Sequence, residues 1–143
     1  MCGFDHFAEE NVFGGMVEGY IIYNGERAAV LEIKTAGDKE KWLDENGNIA
    51  KVPENYLYQA SLYATLGGLE RIVFAVGFLT EGDYDDPKGF VPDEENFAIV
   101  IVNRMDISDD MEIAEEWFNR YILGGITPRW TEADAELVRR LQS

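Results

Sequence analysis

Two side chains, Glu32 and Lys34, are the first in this 143-residue chain whose types and spacing could do chemistry. In an extended segment, alternation puts both on one face, with Leu31 and Ile33 on the other. A carboxylate beside an ammonium at a strand end is either a solvated charge pair or the polar part of a site. The surroundings favour the site. Thr35 follows directly, and Gln59 and Tyr63 come downstream, four apart and therefore on one helix face. Gln59 stands among Tyr56, Tyr58, Ala60 and Ala64, where a buried carboxamide needs a hydrogen-bond partner. Glu18 adds a second carboxylate on the preceding extended segment.

The elements that must position these groups are short and well punctuated. Met16 to Tyr23 and Ala28 to Lys34 are β-rich and flank Asn24-Gly25, the signature of a β-hairpin. The polar stretch from Thr35 to Val52 holds one large anchor, Trp42. A helix is predicted from Pro53, which suits a first turn, to Gly67-Gly68, which suits a stop. The unbroken apolar runs Arg71 to Leu79 and Phe97 to Val102 predict two strands buried on both faces. Between them Glu81 to Asn96 reads as an acidic loop, either solvated or facing a partner. Asp109 to Leu123 predicts an amphipathic helix with Ile113, Trp117, Phe118 and Tyr121 inward, ended by Gly124-Gly125. Thr131 and Asp134 match a capping pattern that opens a last short helix, and Trp130 reads as core. The order ββαββαα predicts an α/β fold with a mixed sheet flanked by helices, as one domain over residues 1–143.

Register decides whether the two carboxylates meet. A plain two-residue turn at Asn24-Gly25 would put Val17 opposite Glu32 and send Glu18 to the wrong face. A three-residue loop including Glu26, or a bulge of the same effect, puts Glu18 opposite Glu32, and this is the expected arrangement.

Composition bounds the rest. An aromatic fraction of 13% and a hydrophobic fraction of 46% supply a core and exclude disorder. A single cysteine, Cys2, and a single histidine, His6, exclude a disulfide scaffold and a Cys/His zinc site. No apolar run reaches membrane-span length, which predicts a soluble, cytoplasmic protein. The net charge of −16 by itself argues against nucleic acid, whose affinity depends on Lys and Arg neutralising phosphates.

The motifs argue the other way. Leu31-Glu32-Ile33-Lys34-Thr35, then Trp42, then Pro53-x-x-Tyr56-x-x-Gln59-x-x-x-Tyr63, resembles the RecB-like branch of the PD-(D/E)XK nucleases. It is most similar to the YqaJ-like phage exonuclease group, to which lambda exonuclease belongs. Residues 14–140 carry the resemblance, which includes the Arg71 to Leu79 strand and Glu116-Trp117 to Pro128. E-x-K alone has little specificity; followed by Q-x-x-x-Y in this order it is moderately specific. The family has aspartate where Glu18 stands, and an upstream helix supplying a further glutamate. Only thirteen residues precede Gly14-Gly15, so the resemblance implies a compact or N-terminally truncated restriction-endonuclease-like fold, with Glu9 and Glu10 as the nearby substitutes.

The resemblance implies a metal-dependent DNA nuclease that hydrolyses phosphodiester bonds, of the phage recombination type acting on linear DNA. Glu18, Glu32 and the carbonyl of Ile33 would hold Mg²⁺ or Mn²⁺. Lys34 would orient the attacking water or stabilise the phosphorane, and Gln59 and Tyr63 would contact the DNA backbone or position Lys34. The DNA would be a linear duplex or a single strand. A homo-oligomeric ring around it would need Lys34, Lys39, Lys41 and Lys51 to face the channel. The alternative is a catalytically inactive relative whose acidic surface binds a protein, as a DNA-mimic inhibitor does.

Overall fold

The structure is a computed structural model that describes residues 12–86, 88–129, 131–135 and 139. The chain divides at Ile107/Ser108 into two compact units.

The first unit is built on a four-stranded sheet in the order β1-β2-β3-β4, with β1 spanning Gly19–Tyr23, β2 Glu26–Ala36, β3 Arg71–Phe78 and β4 Phe97–Asn103. β1 and β2 are antiparallel, β2 and β3 parallel, and β3 and β4 antiparallel, so the sheet is mixed. The parallel step is made by a crossover that carries a 3₁₀ turn, Lys39–Trp42, and the helix α1, Glu54–Leu66. The class is therefore α/β with helices beside a mixed sheet, as the order of elements predicts.

Asn24 (φ 51°) and Gly25 (φ 82°) are both left-handed, the geometry of a two-residue turn whose twist matches its strands. Tyr23 accordingly pairs with Glu26 and Ile22 with Arg27, but Ile21 pairs with Ala29 and Gly19 with Leu31. Ala28 is the extra residue of a β-bulge, which restores the register that the two-residue turn alone would lose. Of the two arrangements that bring Glu18 opposite Glu32, the bulge is the one present.

One face of the sheet is core. In parallel register Val30 pairs with Ile72, Glu32 with Phe74, Lys34 with Val76 and Ala36 with Phe78. Ile72, Phe74, Val76, Phe78 and Val100 bury there with Trp42, Val52 and the α1 residues Ala60, Tyr63 and Ala64. Trp42 is the keystone, its ring edge-on to Phe74 and Phe78 at 6.1 and 6.3 Å and tilted against Tyr56 at 6.0 Å. The segment after β4 is fastened to α1. The Met105 amide donates to the buried Ser61 hydroxyl at 2.9 Å, and Arg104 bonds Thr65 Oγ1 at 2.8 Å and Glu70 Oε1 at 2.9 Å.

The expectation that β3 and β4 are buried on both faces is corrected. Within the first unit β3 alternates after the exposed Arg71 between buried and half-buried positions, and Ile99 and Ile101 of β4 are not covered by that unit, because α1 packs on one face only. The acidic stretch is also more ordered than a solvated loop. Glu81–Asp85 form a short helix, α2, capped reciprocally by Thr80 and Asp83. Asp93 accepts from the Glu95 and Asn96 amides, and Lys39 Nζ donates to the Glu95 carbonyl at 2.8 Å. These acids are turn-builders, and the Thr80 hydrogen bonds hold Asp83 below its ordinary carboxylate pKa.

In the second unit α3, Ser108–Trp117, continues into a π-helical turn, Phe118–Leu123. Gly124 follows because a Cβ there would overlap the Arg120 carbonyl oxygen. Within this unit Ile113 and Trp117, expected inward, are not buried, and α3 has no residue buried by the unit itself. Thr131 and Asp134 form the expected capping box, on a 3₁₀ turn Glu132–Asp134. Trp130 lies outside the described residues. No described helix is long and apolar enough to cross a membrane.

Candidate metal and phosphate site

The site grows from the pleat of β2. Val30, Glu32, Lys34 and Ala36 alternate onto the core face, so Glu32 is carried into the interior between Val30 and Phe74, and it is 1% exposed. A carboxylate there is costly unless paired. Lys34, one repeat further along the same face, supplies the pair: its Nζ stands 2.6 Å from Glu32 Oε2. The same ammonium lies 3.5 Å from Glu18 Oε1 and 5.5 Å from the centre of the Tyr56 ring on α1.

Glu18 arrives from the other strand of the hairpin. β1 begins at Gly19, so the ladder stops one residue short, and the Ile33 amide donates instead to Glu18 Oε2. A side chain thus completes the strand pairing and fixes its own carboxylate beside Lys34.

Burial lowers the pKa of Lys34, but the hydrogen bond to Glu32 and the charges of Glu32 and Glu18 outweigh it and hold the pKa above its ordinary 10.5. One ammonium therefore serves two carboxylates. The second oxygen of Glu32, Oε1, is fully buried and has no hydrogen-bond partner among the described residues.

Gln59 and Tyr63 are brought together, but with each other. Gln59 is exposed on α1 and donates to the Tyr63 hydroxyl at 3.1 Å, not to Glu18, Glu32 or Lys34. Tyr63 is buried against the chain entering the hairpin, where a Cβ on Gly15 would overlap the ring edge and stand 2.9 Å from its hydroxyl oxygen. Two contributors were given no role from sequence. Tyr56, read only as part of the motif and one turn before Gln59, faces Lys34, and Gly15 makes room for Tyr63. The i, i+3 spacing of Tyr56 and Gln59 is the signal that could have found the first.

The donor set suits a hard divalent cation. Glu18 and the unpartnered Glu32 oxygen are hard ligands, and Mg²⁺ is commonly held by one or two carboxylates plus substrate phosphate and water. Among the described residues no group of three or more His, Cys, Asp or Glu is placed to hold a metal. The protein's share would be these two carboxylates with a backbone carbonyl such as that of Ile33. Glu9 and Glu10 lie outside the described residues. Of the four lysines considered for a basic surface, Lys34 is held by the carboxylates, Lys39 Nζ donates to the Glu95 carbonyl, and Lys41 makes an exposed pair with Asp38 at 3.4 Å.

Comparison with known proteins gives relatives without an activity in their names. The chain is 28% identical to the uncharacterized protein MG373 of Mycoplasma genitalium, over 95% of this chain and 62% of the relative. It is 29% identical to the MG373 homolog of Mycoplasma pneumoniae, over 94% and 61% respectively. The chain thus spans about 60% of the length of the curated relatives it matches. No family model and no solved structure matches it.

Proposed function

We propose that the chain is a metal-dependent nuclease with a restriction-endonuclease-like, PD-(D/E)XK arrangement, acting on linear DNA as RecB-like and YqaJ-like exonucleases do. The observation that carries this reading is the buried Glu32 oxygen left without a partner among the described residues, beside Glu18 and Lys34. An unsatisfied carboxylate oxygen is costly in an apolar interior, and a bound cation would supply the partner it lacks.

Glu18 and Glu32 would hold the cation, with the Ile33 carbonyl beside them. When bound, Mg²⁺ or Mn²⁺ would polarise the phosphate and acidify a water. Lys34 stays protonated, held by the two carboxylates, and its ammonium is placed to hold a water or to meet the charge that develops on a phosphate oxygen. Tyr56 keeps that ammonium from swinging away. Gln59 and Tyr63, joined on α1, would contact the DNA backbone from the helix rather than enter the carboxylate cluster.

The test is end-labelled linear duplex and single-stranded DNA incubated with Mg²⁺ or Mn²⁺, beside Lys34→Ala and Glu32→Gln variants. Digestion by the native chain alone supports the reading. No digestion with either metal, and no Mn²⁺-dependent rise in Tm, removes it.

The net charge of −16 favours a second reading, an inactive acidic relative that occupies the DNA site of a basic protein. It expects neither digestion nor DNA binding.

A further inference from the structure

Immediately past Lys34, β2 runs into a cavity of about 260 Å³ lined by Thr35, Asp38, Lys41, Trp42, Asn55 and Tyr56 among others. Resting on the reading of Glu18, Glu32 and Lys34 as a hydrolytic centre, we propose that this cavity is a nucleotide subsite. It would hold the single nucleotide unit next to the scissile phosphate, with Lys41 and Asn55 as its recognition residues.

Position is the first support. The cavity opens at the carboxyl end of β2, where it runs parallel to β3, the place where open α/β sheets bind ligands. Thr35 to Asp38 lie one to four residues beyond Lys34, roughly 3–13 Å along an extended chain. A group bound there is a near neighbour of a phosphate at Lys34.

The lining chemistry is the second. Tyr56 is half-buried and gives the cavity an aromatic wall, backed by the buried Trp42 ring. Beside it stand the Asn55 carboxamide and the Lys41 ammonium, the latter paired with Asp38. An apolar wall with a few convergent polar groups is the pattern of a small-molecule site. An aromatic face with a cation suits a base and its phosphate. Lys41 is 70% exposed and its Nζ stands 3.4 Å from Asp38 Oδ2, an exposed pair weak enough for the ammonium to exchange toward an anion.

Continuity is the third. Tyr56 lines the cavity and also faces the Lys34 ammonium, so one ring borders both places. The first turn of α1 also meets the cavity at Pro53 and Asn55, and its N-cap, Pro53, makes no side-chain capping bond. Its first amides are left without a side-chain acceptor, and they add a favourable field for a phosphate. The size limits the occupant: about 260 Å³ lies just under the range of ordinary ligand pockets, so it admits no more than one nucleotide unit.

The experiment uses the full chain carrying Trp117→Phe and Trp130→Phe, which leaves Trp42 as the sole indole reporter at the cavity wall. Titration with dAMP in EDTA is expected to give a saturable change in emission. Lys41→Ala, Asn55→Ala and the replacement of dAMP by deoxyadenosine are each expected to weaken binding about tenfold. Both residues are exposed, and a native Tm for each variant confirms that folding is intact. Absence of a saturable change overturns the proposal. So does binding that both variants leave undiminished, or inorganic phosphate that competes as well as dAMP. Nucleotide binding without DNA hydrolysis by the native chain keeps the subsite and removes the nuclease; hydrolysis without nucleotide binding removes the subsite alone.

Discussion

The Glu18 carboxylate accepts the hydrogen bond of the Ile33 amide, taking the place of a strand partner that β1 is one residue too short to provide. The same side chain reaches the Lys34 ammonium with its other oxygen. Hairpin geometry and site electrostatics are thus joined in one residue. Removing it as Glu18→Ala leaves the amide near solvent, so the stability cost is small, about 0.5–1.5 kcal/mol in urea unfolding. The cation effect is expected to be larger. A Mn²⁺-dependent rise in Tm in the native chain should vanish in Glu18→Ala, and a rise of equal size in both would remove Glu18 from the metal site.

Lys34 is the sole cation within ion-pair distance of the buried Glu32 among the described residues. Lys34→Met keeps the side chain's length and removes its charge, stranding a carboxylate between Val30 and Phe74. The expected loss is about 3–5 kcal/mol by denaturant unfolding. Adding Glu32→Leu removes the stranded charge, and the double variant should regain most of that loss. A double variant as unstable as the sum of the two singles would show that the pair is not coupled.

The raised pKa of Lys34 fixes a direction for pH dependence. A lysine with a folded pKa above its unfolded value binds its proton more tightly when folded. Its contribution is therefore complete below the unfolded value, near 10.5, and is lost as pH rises through the higher folded value. Thermal unfolding of the native chain and Lys34→Met, followed from about pH 8 to about pH 12, should show a Tm gap that stays constant and then closes above 10.5. A gap that closes below pH 9 or so would assign the effect to another group.

What could be read from sequence divides along physical lines. The hairpin, α1 and the pairing of Glu32 with Lys34 on one face were legible because Asn24-Gly25, Pro53, Gly67-Gly68 and strict alternation are local signals. The bulge at Ala28 was legible only as a need, since nothing in Arg27-Ala28-Ala29 marks which residue is extra. That Ile99, Ile101 and Trp117 are left uncovered within their own units was not legible at all. An apolar run reads the same whether one face or both are covered, and only the placement of helices decides. Gln59 was expected to need a partner in the interior, and it has one, Tyr63, while remaining at the surface.

Gly15 tests how far the hairpin entry depends on α1. Its hydrogen atoms face the Tyr63 ring so closely that a methyl group would overlap the ring edge. Gly15→Ala is expected to cost about 1–3 kcal/mol through overpacking. It should also displace Tyr63 and break the Gln59 hydrogen bond. Combining it with Tyr63→Leu, which vacates the ring's outer edge, should cost less than the two changes separately. Strict additivity would mean that the close approach is relieved elsewhere.

Trp42 links the core to both candidate binding places, because its ring contacts Phe74 and Phe78 in the sheet and Tyr56 on α1. Its carbonyl also accepts from the Ala50 and Lys51 amides at 3.1 Å each, so it organises the loop before α1 as well. Trp42→Ala is expected to cost about 3–5 kcal/mol in denaturant unfolding, with Trp42→Phe costing less because an aromatic ring still meets Phe74. The functional consequence separates support from packing alone. With Trp42 truncated, Tyr56 loses its backing and the Lys34 ammonium loses the ring that confines it. Mn²⁺ binding by Glu18 and Glu32 should then persist under conditions where Trp42→Phe is fully folded, while dAMP binding, followed by calorimetry, weakens. Equal loss of both would mean that Trp42 acts only through global stability.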